Sequence, residues 1–144
     1  MLRKATIKDL NVVTTLALKL WQEHEFDELK TEFKSLLKDK NCAIHLCLEN
    51  EKAIGFAQCQ LRFDYVEGTE TSPVGYLEGV YVDESYRQKG NGRNLVNACE
   101  NWARSKGCKE FASDSEFSNK QGIDFHNKLG FSQANIIVCF TKKL

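Results

Sequence analysis

The chain has 144 residues, 42% of them hydrophobic and 28% charged, and its 20 basic and 20 acidic side chains leave no net charge. One domain of that length buries a full core, and no apolar run approaches the ~20 residues that span a bilayer. Balanced charge excludes nonspecific nucleic-acid binding driven by a basic surface. In chain order, Leu2 to Ala5 reads as a short strand. Thr6 followed by Asp9 resembles a capping box, with Asp in place of the usual Glu, and opens a helix predicted to run to about Phe26. Leu10, Val13, Leu16, Ala17 and Leu20 share one face of it. Phe33, Leu36 and Leu37 predict a second helix. Cys42 to Leu48 predicts a strand, Asn50-Glu51-Lys52 a turn, and Ala53 to Val66 a long strand. A polar loop from Glu67 to Ser72 leads through Pro73 to a strand from Val74 to Val82. Leu95, Val96, Cys99, Trp102 and Ala103 form a helical stripe, ended at Gly107. Glu110 to Ser113 is a predicted strand, Asn119 to Leu129 a helix stopped by Gly130, and Phe131 to Thr141 one or two closing strands. The order predicts an α/β fold, a mixed central sheet flanked by helices on both faces.

Arg87-Gln88-Lys89-Gly90-Asn91-Gly92-Arg93 lies between the apolar end of one strand, Val80-Tyr81-Val82, and the helical stripe. A strand, a tight glycine turn and a helix N-terminus make an anion cradle. Glycine lets the backbone approach the anion, and the free N–H groups of the first helical turn point at it. Arg87 and Lys89 add positive charge. The P-loop pattern is absent, and so is the third glycine of the dinucleotide fingerprint.

The six cysteines show no CxxC spacing and mostly sit in apolar runs, so reduced core thiols are expected. The three histidines, His24, His45 and His126, make no ligand spacing with them, so no metal site is expected. Met1-Leu2-Arg3-Lys4 lacks the apolar core of a signal peptide, and a cytoplasmic protein is the expectation. From Phe63 to Tyr86 there is no Lys or Arg, while Asp64, Glu67, Glu70, Glu78, Asp83 and Glu84 fall there. A solvated acidic surface explains most of these. As a group they suit a cationic small-molecule substrate, because a cleft lined with one sign of charge concentrates the other.

Arg87-x-x-Gly90-x-Gly92 resembles the pyrophosphate loop of the GCN5-related N-acetyltransferases. Asn119, Gly122, His126 and Gly130-Phe131 resemble that family's Asn-x-x-Ala-x-x-x-Tyr-x-x-x-Gly-Phe segment. The run from Tyr65 to Val82, together with Leu20-Trp21 and His24 and with Phe111-Ala112-Ser113-Asp114, is similar to segments of the aminoglycoside 6′-N-acetyltransferases within it. The resemblance covers the whole chain. It implies the acetyltransferase fold, acetyl-coenzyme A as co-substrate, and transfer to the 6′-amine of an aminoglycoside. Tyr81, Val82, the loop Arg87 to Arg93 and Asn119 are the implied cofactor-binding residues. Tyr81 and Val82 would supply N–H groups to the thioester oxygen if the strand bulges near Gly79.

Glu78 is the candidate base or ammonium anchor, and Asp114 shares either task. Trp21, His24 and Tyr65 join these carboxylates on the acceptor side, with Glu23 and Glu70 as weaker candidates; carboxylates hold ammonium groups and aromatic faces hold sugar rings. Where the family carries its tyrosine acid, this chain has His126. The resemblance also implies a homodimer. A polyamine acceptor, or a noncatalytic acetyl-coenzyme A-binding module, stays open as an alternative.

Overall fold

The computed structural model describes residues 1–144. One five-stranded sheet runs in the order β1 (Leu2–Lys4), β2 (Cys42–Glu49), β3 (Lys52–Arg62), β4 (Val74–Val82) and β5 (Phe111–Ser113). The first four strands pair antiparallel, and β5 joins β4 in parallel after the crossover helix α3 (Asn91–Ser105). Helices α1 (Leu10–Leu20) and α2 (Phe26–Leu36) cover one face. Helix α3 covers the other, with Phe125 and Leu129 from the region of α4 (Lys120–Lys128) packed beside it. Covering both faces explains the near-continuous apolar run of β2: Cys42, Ile44 and Leu46 meet α1 and α2, while Ala43 and Cys47 meet α3.

The Thr6–Asp9 capping box is present, and Arg3 braces it through a bidentate pair with Asp9 at 2.7 and 2.8 Å. It opens a short 3-10 turn, Ile7–Asp9, before α1. Three expectations need correction. The first helix stops at Leu20 rather than Phe26, because Trp21 leaves helical geometry (φ −112°, ψ 72°) and Glu25 is extended (ψ 148°) as it opens α2. Strand β3 ends at Arg62 rather than Val66, since β2 begins at Cys42 and β4 at Val74 and neither offers a partner further on. The closing strands predicted over Phe131 to Thr141 do not form: residues 131–144 make no ladder within this chain. All six cysteines are free; five are buried and Cys139 is exposed.

Two features of β4 position everything that follows. Gln58 faces Gly79 and Cys59 faces Leu77, so Glu78 is the extra residue of a β-bulge. On the other side, β5 pairs with Gly75, Tyr76 and Leu77 alone. Beyond Leu77 the two parallel strands part, and β4 has an open edge from Glu78 to Val82.

Candidate active site

The glycine turn sits at the end of that open edge. Gln88 and Gly90 both take left-handed backbone (φ 60° and 84°), and Gly90 caps α3. A non-glycine residue at positive φ is uncommon and marks a conformation held by its surroundings. The first i→i−4 bond of α3 runs from Asn94 N–H to Gly90 O, so the N–H groups of Asn91, Gly92 and Arg93 precede the ladder. Gly92 has a packing reason as well: a Cβ there would stand 2.9 Å from the Phe125 ring.

The loop side chains divide their work. Arg87 Nε donates to Val82 O at 2.8 Å, tying the turn to β4. The Lys89 ammonium lies 5.5 Å from the Tyr86 ring centroid. Asn91 Nδ2 donates to Tyr86 O, and Arg93 reaches across to Lys128 O at the end of α4. Asn119, expected at the cofactor, is the N-cap of α4, its Oδ1 accepting from Gly122 N–H at 3.0 Å. Beside the turn lies a 590 Å³ pocket lined by Lys19, Tyr81, Glu84 and Arg87, among others.

Strand alternation decides which β4 donors face outward. Asp83 N–H donates to Ile54 O on β3, so Tyr81 also turns its N–H to β3. Val82 and Val80 present theirs to the open edge, consistent with Arg87 meeting the Val82 carbonyl there. Val82 and Val80 therefore present N–H groups at the open edge, while that of Tyr81 points to β3.

At the bulge four side chains form one network. Arg62 grips Glu78 with Nη2 at 2.9 and 3.0 Å from the two carboxylate oxygens and Nε at 3.2 Å from Oε1. Its guanidinium also stacks 3.4 Å from the Tyr76 ring centroid. Tyr76 Oη donates to Asp114 Oδ2 in a short hydrogen bond. Burial pushes Glu78 above the usual carboxylate range; Arg62 opposes that shift and the charge of Asp114 adds to it. Burial and the Asp114 carboxylate likewise raise the Tyr76 phenol.

The sequence-predicted carboxylates thus meet, through two residues that sequence reasoning did not place in the site. Tyr76 had a signal, because it lies two residues before Glu78 and shares its strand face. Arg62 had none, since its position opposite Val74 is set by cross-strand register.

A cleft of 1250 Å³ is lined by Arg62, Tyr65, Glu67, Tyr76, Asp114 and His126, among others. Tyr65 is 79% exposed there, its hydroxyl donating to Glu67 at 3.2 Å. Trp21 is mainly a core aromatic, 6.2 and 6.0 Å from Phe33 and Phe56 between centroids. Its ring edge also covers Gly79, where a Cβ would meet it at 2.6 Å, so it abuts the residue after the bulge. His24 pairs with Glu23 at 3.5 Å and joins neither the network nor the cleft lining. Glu70 serves through its backbone, whose N–H donates to Glu110. Asp83, from the same acidic run, is bound to Lys19 at 2.7 Å.

His126 is firmly held. Nδ1 lies 2.6 Å from Gly122 O, which can only accept, so Nδ1 carries a proton. Nε2 lies 2.8 Å from Ser113 Oγ, which is 3.2 Å from Leu77 O.

The sequence profile of the GNAT acetyltransferase family matches residues 7–131. The chain belongs to that family. It is 38% identical over 141 residues to an aminoglycoside N(6′)-acetyltransferase type 1 of Acinetobacter haemolyticus, covering 98% of this chain and 94% of the relative. An enzyme of the same name from Stenotrophomonas maltophilia is 38% identical over 143 residues, covering 99% and 93%. Among solved structures, aminoglycoside N-acetyltransferase AAC(6′)-Iy in complex with coenzyme A superposes with a TM-score of 0.97 at 32% identity, covering 100% of this chain and 95% of that one. The same enzyme bound to the bisubstrate analogue CoA-S-monomethyl-acetylneamine gives 0.96 at 32% identity, covering 100% and 98%. The open β4 edge and the head of α3 are two sets of backbone donors, separated by Asp83, Tyr86 and Arg87, whose N–H groups are bonded within the chain.

Proposed function

We propose that this chain transfers the acetyl group of acetyl-coenzyme A to the 6′-amine of an aminoglycoside. The observation that carries the reading is similarity along the whole chain, acceptor half included, to enzymes of that name. NMR of the product of acetyl-coenzyme A and kanamycin tests it, with the new amide expected at the 6′ nitrogen; acetylation at another amine would contradict it.

The residues fit the co-substrate. Val80 and Val82 offer backbone donors along an edge that has no strand partner, and the turn from Arg87 to Arg93 offers N–H groups and cations for a pyrophosphate. Acetyl-coenzyme A brings an acetyl thioester whose carbonyl carbon is the electrophile. Glu78 and Asp114 draw the cationic acceptor, and Tyr65 offers an aromatic face at the cleft. Arg62 holds Glu78 in the free protein, so an incoming ammonium competes with a guanidinium for the same carboxylate. Glu78 takes a proton from the acceptor amine, a role its raised pKa suits. The freed lone pair attacks the carbonyl carbon, and the C–S bond breaks as the amide forms. One N–H of the open β4 edge, that of Val80 or of Val82, faces the oxygen on which charge develops.

His126, through Ser113 Oγ, returns a proton to the departing sulfur. His126→Ala is therefore expected to lower kcat while leaving coenzyme A affinity nearly unchanged, read by steady-state kinetics and calorimetric titration. A comparable kcat would discard the acid role.

Two further expectations belong to this reading. Five buried free thiols suit a reducing, cytoplasmic setting. The C-terminal arm supports a homodimer. Ile136, Ile137, Val138 and Phe140 are 57–89% exposed, while β5 pairs on one side only and borders the large cleft. An apolar extended arm and an open strand edge on each copy are complementary between two copies. Light scattering is expected to give a dimer for the native chain and a monomer for Ile137→Asp/Phe140→Asp; a monomeric native protein would contradict it.

A further inference from the structure

Three donor side chains meet inside the protein between the sheet and α3, and none of them belongs to the glycine turn or the carboxylate network. His45 comes from β2, Cys59 from β3 and Cys99 from α3. His45 faces Ala57 and Ala43 faces Cys59, so His45 and Cys59 are diagonal neighbours on one sheet face. Helix α3 lays Cys99 over both. One ring nitrogen and two sulfurs fall within 4.8 Å of one another, and Cys99 Sγ stands 3.7 Å from His45 Nδ1. Both cysteines are wholly buried and His45 is half-buried. In the chain 13 residues separate His45 from Cys59 and 53 separate it from Cys99, so no ligand spacing shows in the sequence.

Tetrahedral coordination with metal–sulfur bonds of about 2.3 Å and metal–nitrogen bonds of about 2.0–2.1 Å puts neighbouring donors roughly 3.5–3.8 Å apart. The observed His45–Cys99 separation already lies in that range. The remaining separations are no more than 4.8 Å. Imidazole and thiolate donors suit zinc and its heavier thiophilic relatives and do not suit magnesium or calcium.

We propose that His45, Cys59 and Cys99 form a site for one thiophilic divalent cation of the zinc and cadmium class. Two thiols give up their protons as M–S bonds form, and neutral His45 donates its ring nitrogen. The 2+ charge is cancelled by two thiolates, so the loaded site brings no net charge into the apolar cluster around it. Water reaching half-buried His45 fills the fourth position. The cation would join β2, β3 and α3, and α3 carries the glycine turn at its head; the site is therefore a clamp on the element that presents the turn. It does not depend on the proposed acetyl transfer.

Metal-free protein titrated with Cd²⁺ tests this by ultraviolet thiolate-to-metal charge transfer, native mass spectrometry and thermal unfolding. One Cd²⁺ per chain is expected, with a charge-transfer band and a Tm that rises with free metal, as binding to the folded state alone requires. His45→Gln, at a half-buried position, should bind at least about tenfold more weakly, as loss of one ligand implies. Cys99→Ala should lose the band, and Cys139→Ser should keep it. Absence of the band from the native chain, or a band retained in folded His45→Gln and Cys99→Ala but lost in Cys139→Ser, would mean reduced core side chains only and would overturn the site.

Discussion

Glu78→Gln should lower kcat for an aminoglycoside by about 10²–10⁴-fold while leaving coenzyme A affinity nearly unchanged. Glu78 is the bulge residue of β4, and its carboxylate combines partial burial, a raised pKa and a cationic partner. Gln keeps the size and one acceptor oxygen toward Arg62, and removes the base. The pH profile separates base from anchor. A base must be deprotonated to act, so native activity is lost as pH falls through the raised pKa, at higher pH than an ordinary carboxylate would give. In Glu78→Gln that acidic limb disappears. An anchor would instead raise KM with a smaller change in kcat. Asp114→Asn should show the milder pattern, because Asp114 meets the network through Tyr76 rather than holding the centre of it. Native kinetics in both variants would remove both carboxylates from the site.

Gly92→Asp should weaken coenzyme A binding by roughly 10- to 100-fold, the equivalent of losing a charge-assisted contact worth about 1.5–3 kcal/mol. Two causes act together. A carboxylate is placed in the first turn of α3 beside the expected pyrophosphate, and a Cβ is forced to 2.9 Å from the Phe125 ring. Gly92→Ala carries the second cause without the first, so the difference between the two variants measures the electrostatic part. Arg87→Ala should also weaken binding, since it removes a cation from the turn. Calorimetric titration with coenzyme A reads all three; unchanged affinity in folded Gly92→Asp and Arg87→Ala would take the pyrophosphate away from this turn.

What could be read from the sequence followed from local physics. The Thr6–Asp9 box, the helical stripe of α3 and the left-handed Gly90 are short-range features, and each is present. The bulge at Glu78 was expected only as a condition, yet it decides which valine N–H groups are free. Arg62 was missed because an arginine on one strand and a glutamate on the next meet only through register. Asn119 was assigned to the cofactor, and its Oδ1 also caps α4. Residues 131–144 have strand-like composition, but a strand needs a partner, and they pair with no strand of this chain. His45, Cys59 and Cys99 were likewise invisible, because sequence spacing carries no information about which sheet face a helix covers.

The most direct measurement of the central claim is thiol release from acetyl-coenzyme A in three parallel reactions, with kanamycin, with spermidine and with no acceptor. The account predicts release that depends on kanamycin, is weak with spermidine and is negligible without acceptor. Release favouring spermidine, or no acceptor-dependent release from protein that binds coenzyme A, would contradict it.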